Sequence, residues 1–398
     1  MTVKVSIGKT TEDVMEYIST REAAEKWGVS VRCVQRFLAD GRIPGAVRWG
    51  RSWAIPADVN KPEDPRRISE ADKQIYPPVP FLTACVALPR GDADRAVELM
   101  QTEEERTQLE AELALWRGDF AAAIRLCEDV SKNSPMKICA TTVLLLAGFS
   151  TGDSDLVRKA DGVLRDIRGT EDQNTARLAL EMLRRCLLIR EDKLTISAER
   201  FSALSVEIRP LVIYLHLKTL QANGEYARMV DVANTALTMM VRKDSYNLLE
   251  IYLMLLCAVG YIGLDDPETA KRYISRALHA AMPDGIIMPV VESLAVGGGL
   301  IEECLDQEFP EMKDRILNKW DEVWENWLSF RNGYLKKAPV PMMPLREYQI
   351  ALAIANGSTY EETADHFGLS LGRIRNLTSR IYSKLNVNSR AELKEIIG

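Results

Sequence analysis

Histidine is scarce in this chain: three residues, His216, His279 and His366, in 398. They lie far apart and none has a metal-ligand spacing, which argues against a histidine-built metal centre. His216 and His279 read as helical packing residues, and His366 falls in a C-terminal helical pattern. The seven cysteines (Cys33, Cys85, Cys127, Cys139, Cys186, Cys257, Cys304) include no CxxC pair. They sit mostly inside apolar helical runs and read as small buried hydrophobes in a reducing cytoplasm. Long hydrophobic runs are missing too. The first residues lack the apolar stretch of a signal peptide. The most apolar segment, near Ile286 to Leu305, is cut by Pro289, Glu292 and three consecutive glycines, so no membrane span is expected. Gly8-Lys9-Thr10 is similar to the end of a phosphate-binding loop. The glycine that motif needs five residues earlier is Val3, and no long strand precedes it. No Ser/His/Asp or paired-carboxylate arrangement stands out. The expectation is a protein that is not an enzyme and carries no metal or cofactor.

What is present is helix-forming and unevenly charged. A length of 398 residues predicts two to four domains, and 46 % apolar content is ample for packed cores. The net charge is −6, but it divides by segment. Tyr17 to Arg67 holds ten Lys/Arg against six Asp/Glu, and Met343 to Gly398 holds seven against six, leaving −11 for the remainder. Positive ends suit a polyanion. An acidic middle avoids one, which points to a sensor or protein-interaction region.

Tyr17 to Pro56 forms a compact pattern. Ser19 and Glu22 make a capping-box signature, opening a helix through Lys26 with Ala23, Ala24 and Trp27 on one face. After the turn Gly28-Val29-Ser30, a second helix places Val31, Val34, Phe37 and Leu38 on an apolar face and Arg32, Gln35 and Arg36 on the other. Gly41 is expected to end it. Two β-prone runs, Ala46 to Trp49 and Ser52 to Ile55, flank Gly50-Arg51 and predict a hairpin. The order Tyr-Ile-x-x-x-Glu-Ala-Ala, Gly-Val-Ser, Gly-Arg-Ile-Pro-Gly-Ala, Gly-Arg-Ser-Trp-x-Ile-Pro resembles the MerR/excisionase-like winged helix-turn-helix family. The resemblance implies DNA contact by Arg32, Gln35 and Arg36, with Arg48 and Arg51 on the wing. Modules of this size also serve as protein-docking domains, and that reading stays open.

Residues 61–80 are dense in proline and charge and read as a linker. From 81 to 335 the pattern is helical almost throughout. Turn signals at Gly118-Asp119, Gly152-Asp153, Gly224-Glu225 and Gly263-Leu264-Asp265 are spaced by 34 residues in the first pair and 39 in the second. This is a degenerate tetratricopeptide-like repeat, which predicts an α-solenoid with a concave face. Ala277 to Gly285 resembles a stretch in MalT-type regulators, where a solenoid precedes the DNA-binding domain. Those regulators carry a nucleotide-hydrolysing domain ahead of the solenoid. Here a small winged helix stands in that place, so no ATP dependence is expected. Trp320, Trp324 and Trp327 share one helix face, either as core closing the solenoid or as a dimerisation or inter-domain seam.

After a proline-broken linker at 336–342, Met343 to Gly398 shows two short helical patterns meeting at Gly368-Leu369-Ser370. The second, Ser370 to Leu385, carries Arg373, Arg375, Arg380 and Lys384 and no acid. Its N-terminal side chains can reach base edges in a major groove while its cations meet phosphates. Leu345-Arg346-Glu347, Gly357, Thr359, Glu362, Ala364, Ser370, Ile374, Ile381, Lys384-Leu385, Val387 and Arg390 fall in step with the four-helix LuxR-type helix-turn-helix, which the whole segment resembles. Arg373 and Leu377 depart from that pattern, where threonine and histidine are usual. The resemblance implies that Arg375, Asn376 and Ser379 face bases, and that Thr359, Arg373, Arg380 and Lys384 meet phosphates.

The expectation is therefore a mainly α-helical bacterial, cytoplasmic transcription regulator, a homodimer with a DNA-binding domain at each end (1–60 and 343–398). Its partners would be double-stranded DNA, RNA polymerase and a small-molecule or protein effector at the solenoid. The acidic middle would mask the positive helices until the effector binds. The alternative is an interaction scaffold whose N-terminal module docks protein.

Overall fold

The computed structural model describes residues 3–4, 16–39, 43, 45–49, 52–57, 59, 61, 79–128, 130, 134–167, 209–240, 244–334 and 341–397. The fold is mainly helical, with a small antiparallel sheet near the N-terminus. Two compact units are present, Met1–Ile75 and Tyr76–Gly398.

The first unit runs β1 (Val3–Lys4), β2 (Glu16–Ser19), α1 (Thr20–Trp27), α2 (Val31–Ala39), β3 (Val47–Trp49) and β4 (Ser52–Pro56). The sheet order is β1-β2-β4-β3, all antiparallel. The expected hairpin is β3–β4, with Arg48 opposite Trp53. β2 adds to it, Ile18 opposite Ile55, and so ties the residues just before α1 to the hairpin. Ser19 ends that strand and caps the helix. Its Oγ accepts from the Glu22 backbone N–H at 3.3 Å, and the Glu22 carboxylate accepts from the Ser19 N–H at 2.8 Å. That N–H holds the Glu22 carboxyl below its usual range. Ala23, Ala24, Trp27, Val34, Phe37, Leu38, Ile43 and Ile55 form one buried core. Val31, expected on the apolar face, opens the first turn of α2 and is 39 % exposed.

The second unit begins with a 3-10 turn, Leu82–Ala84, and a two-residue strand β5 (Leu88–Pro89), paired antiparallel with β6 (Ser245–Tyr246). Its helices are α3 (Arg95–Glu98), α4 (Glu103–Trp116), α5 (Phe120–Cys127), α6 (Lys137–Thr151), α7 (Ser154–Asp166), α8 (Arg209–Asn223), α9 (Tyr226–Met240), α10 (Leu248–Gly263), α11 (Pro267–Ala281), α12 (Met288–Ser293), α13 (Leu300–Glu308), α14 (Pro310–Tyr334), α15 (Leu345–Ala355), α16 (Tyr360–Phe367), α17 (Leu371–Leu385) and α18 (Arg390–Ile397). Sequence neighbours pack together: α4 on α5, α5 on α6, α6 on α7, α8 on α9, α9 on α10 and α10 on α11.

The turns explain this succession. Asp119, Asp153 and Asp266 each accept a backbone N–H and start the next helix. At the fourth expected turn the structure differs. Gly263 is the last residue of α10, and the left-handed position is Asp265, at φ +61°. Gly263 answers a packing demand instead, since a Cβ there would lie 2.3 Å from the Tyr226 ring. The histidines differ as well. His216 is half-buried in α8, and burial lowers its pKa. His279 is a surface residue, 63 % exposed, beside Glu308. The six described cysteines are free, and Cys186 lies outside the described residues. No helix among the described residues is long and apolar enough to cross a membrane.

One buried acid ties the start of this unit together. The Glu112 carboxylate accepts from the backbone N–H groups of Leu82 and Thr83, the Thr83 hydroxyl and the Gln108 amide, each at 2.8 Å. Burial nevertheless pushes its pKa up, from 4.5 to about 7. A folded value above the unfolded one means that folding favours the proton. The stabilising contribution is therefore full below about 4.5 and is lost as pH rises through about 7. Urea unfolding across this window should show wild-type stability falling relative to Glu112→Gln, and parallel curves would refute the assignment.

Candidate nucleic-acid interface

The C-terminal helices α16 and α17 begin with caps. Thr359 Oγ1 accepts from the Glu362 N–H at 3.1 Å, and the Glu362 carboxylate returns the bond to the Thr359 N–H at 2.7 Å, opening α16. Gly368, left-handed at φ +61°, ends that helix. Ser370 then accepts from the Arg373 N–H at 3.3 Å and opens α17. Ile374, Thr378, Ile381 and Leu385 turn inward and are buried. Arg373, Arg375, Asn376, Ser379, Arg380 and Lys384 are all exposed on the other side. Leu377 is half-buried. The structure thus brings the expected reading residues onto one helix surface. Thr359 stands apart from them, at the start of α16, with its hydroxyl engaged in the cap.

Two features of this surface were not anticipated. Glu347, only 14 % exposed, sits 3.2 Å from Arg380 and 3.7 Å from Lys384, so one carboxylate faces two of the four cations. Glu361 lies 3.9 Å from Arg375. Glu347 was visible in the sequence only as a motif position. Its pairing spans 33 residues, and no local spacing signals it. Arg346 and Arg390 serve as internal ties. Arg346 donates to the Phe367 carbonyl at 3.0 Å and lies 4.6 Å from that ring. Arg390 donates to the carbonyls of Gly357 and Ser358 at 3.0 and 2.8 Å.

In the N-terminal unit, Arg32, Gln35 and Arg36 are exposed on α2, opposite buried Val34, Phe37 and Leu38. Arg48 is exposed on β3, its guanidinium 6.0 Å from the Trp53 ring. Arg51 lies outside the described residues.

The C-terminal helices share a core with the middle of the chain. Trp324 on α14 meets Tyr348 on α15 edge-on, with ring centroids 5.0 Å apart. Gln349 donates to the Leu294 carbonyl at 2.9 Å and to Glu302 at 2.7 Å. His366 donates from Nε2 to the Gly298 carbonyl. Gly298 and Gly299 make this approach feasible: both have positive φ, and a Cβ on Gly299 would lie 3.0 Å from the Arg346 guanidinium. The residues 343–397 share their buried core with the rest of the larger unit. Among the described residues, the middle of the chain meets α15 and α16.

The tryptophan face is interior. Trp320 is 2 % and Trp324 is 6 % exposed, their rings stacked at 4.6 Å, and Trp327 donates to Ser150 Oγ at 3.3 Å. The burial of Trp320 and Trp324 is that of core side chains, and Trp327 is half-buried. Among the described residues no group of three or more His, Cys, Asp or Glu is placed to hold a metal.

No protein-family model, no curated protein and no solved structure matches the chain.

Replacing Trp324 with Ala should destabilise the larger unit by about 3–5 kcal/mol in urea unfolding, as for other buried tryptophans. The sedimentation mass should not change. A change of mass at unchanged stability would return the stripe to a subunit interface.

Proposed function

We propose that this chain is a sequence-specific DNA-binding transcription regulator with a reader at each end and a helical-repeat middle. The observation that carries the reading is the outer surface of α17: seven exposed polar and basic side chains and no acid on the helix, over an apolar inner face that fixes its orientation. In the LuxR-type reading, α16 and α17 are the helix-turn-helix. Arg375, Asn376 and Ser379 reach base edges, while Arg373, Arg380 and Lys384 meet phosphates. The Thr359 hydroxyl can still donate to a phosphate while its oxygen caps α16. Arg380 and Lys384 stay 71 % and 39 % exposed in their pairs with Glu347, so phosphates can reach and compete for the two cations.

The N-terminal unit is read as a MerR/excisionase-like winged helix, with α2 as reader and β3–β4 as wing. The succession α4 to α11 supports a tetratricopeptide-like solenoid that holds the effector site. One short helix makes few base contacts, so the working form is a homodimer on paired half-sites, recruiting RNA polymerase in the cytoplasm. A second reading, an interaction scaffold, draws on the pairing of Arg380 and Lys384 with Glu347, which reduces the free positive charge.

Fluorescence anisotropy with the full chain separates these readings. Arg375→Ala should weaken a selected site by about 1–3 kcal/mol and leave random DNA nearly unchanged. Lys384→Ala should weaken both alike and lower the salt slope by about one. Glu347→Gln, which releases two cations, should strengthen binding to random DNA. A folded chain that shows no salt-dependent DNA binding is a scaffold.

A further inference from the structure

Three consecutive glycines, Gly297 to Gly299, stand between α12 and α13, and the function proposed above makes no use of them. Glycine loses more freedom on folding than any other residue, so an ordered run of three needs a reason. Gly297 is buried, and a Cβ there would lie 2.6 Å from the Ile301 side chain. Gly298 and Gly299 are left-handed, at φ +61° and +92°. Cβ atoms on them would lie 3.2 Å from His366 Nε2 and 3.0 Å from the Arg346 guanidinium. The last two glycines thus leave room for side chains of α15 and α16.

The loop is a fixed support. Gly297 N–H donates to the Ser293 carbonyl at 2.9 Å, Leu300 N–H to the Gly297 carbonyl at 3.0 Å, and Glu303 N–H to the Gly299 carbonyl at 3.1 Å. α13 is tied in turn to α11, through Lys271 on Glu303 at 2.7 Å and Ser275 on Glu308 at 2.8 Å. The other end is stiff as well. His366 is the next-to-last residue of α16, and its ring meets the buried Phe367 ring edge-on at 4.8 Å, which limits its rotation. Beyond it Gly368 N–H returns to the Asp365 carbonyl at 3.2 Å and Leu369 N–H to the Ala364 carbonyl at 2.9 Å, and Ser370 caps α17. A displacement of His366 is therefore carried to the start of α17 by a closed turn.

We propose that His366 is a positioning residue. By donating from Nε2 to the Gly298 carbonyl it holds the turn Gly368–Ser370 to the glycine loop, and so sets the direction in which α17 leaves. The hold on the turn stands on this geometry alone; its effect on base reading rests on the DNA reading above. Base contacts need placement to within about 0.5 Å, whereas non-specific binding depends on charge. Loss of the hold should therefore cost selectivity and spare overall affinity.

Amide NMR of the intact chain without DNA tests the hold. His366→Leu removes the donor and should shift Arg373 to Ser379, seven and more residues away along the chain. His366→Gln keeps an N–H donor and should leave them near their wild-type positions. Gly298→Asn keeps the left-handed backbone, which asparagine tolerates, but its Cβ crowds Nε2. It should move the same amides as His366→Leu. On DNA, His366→Leu should lower the ratio of selected-site to random-DNA affinity about threefold or more, with the salt slope unchanged. The double variant should lose no more than the worse single one, since both changes break one bond. Unmoved α17 amides in folded His366→Leu would overturn the proposal. So would a glutamine variant as impaired as leucine, additive losses in the double variant, or moved amides with an unchanged ratio. If the wild type binds no DNA yet the amides move, the hold stands and the DNA reading falls. If it reads a motif that His366→Leu leaves intact, the DNA reading stands and this role falls.

Discussion

The seating of α15 against α12–α14 is the constraint on which the larger unit depends. Tyr348 and Ile350 are buried, Tyr348 closes against Trp324, and Gln349 is fixed from Leu294 and Glu302. This one helix sets where α16 and α17 lie. α15 presents Glu347 to Arg380 and Lys384, and its Arg346 holds the end of α16 through the Phe367 carbonyl. The consecutive glycines before α13 let the backbone come close enough for His366 to reach it. A side chain at Gly299 would crowd Arg346. α16 and α17 are therefore held by packing and by hydrogen bonds of fixed direction, while Arg373, Arg375, Asn376, Ser379, Arg380 and Lys384 stay exposed.

Local features were legible in the sequence because local chemistry sets them. Ser19 with Glu22 gave the start of α1, and Ser370 after Gly368 gave the start of α17, since caps act within three residues. The alternation of inward Ile374, Thr378 and Ile381 with outward cations follows from the helical period alone. The glycine-aspartate turns at 118–119 and 152–153 fell where expected, each glycine left-handed and each aspartate capping the next helix.

What escaped was long-range. The Gln349 bonds span 55 and 47 residues, and the Glu347–Arg380 pair spans 33. No periodicity records such partners. β2 is four residues long and takes its identity from pairing with β4, so Tyr17 to Ser19 read only as a lead-in to α1. Gly263 has the residue type of a turn, yet it is explained by the ring of Tyr226, a neighbour that only the fold supplies. The tryptophan face was seen as a stripe, but whether it turns inward or outward depends on neighbours such as Ser150 of α6, 177 residues from Trp327.

The outer face of α17 is proposed to read base sequence. Selection of random DNA duplexes by the intact chain tests it most directly. Wild type should enrich a defined motif, and Asn376→Ala, whose side chain holds no charge, should lose preference at one or two positions while keeping its overall DNA affinity. A folded wild-type chain that enriches no sequence, or an Asn376→Ala variant with the same motif at every position, would contradict it.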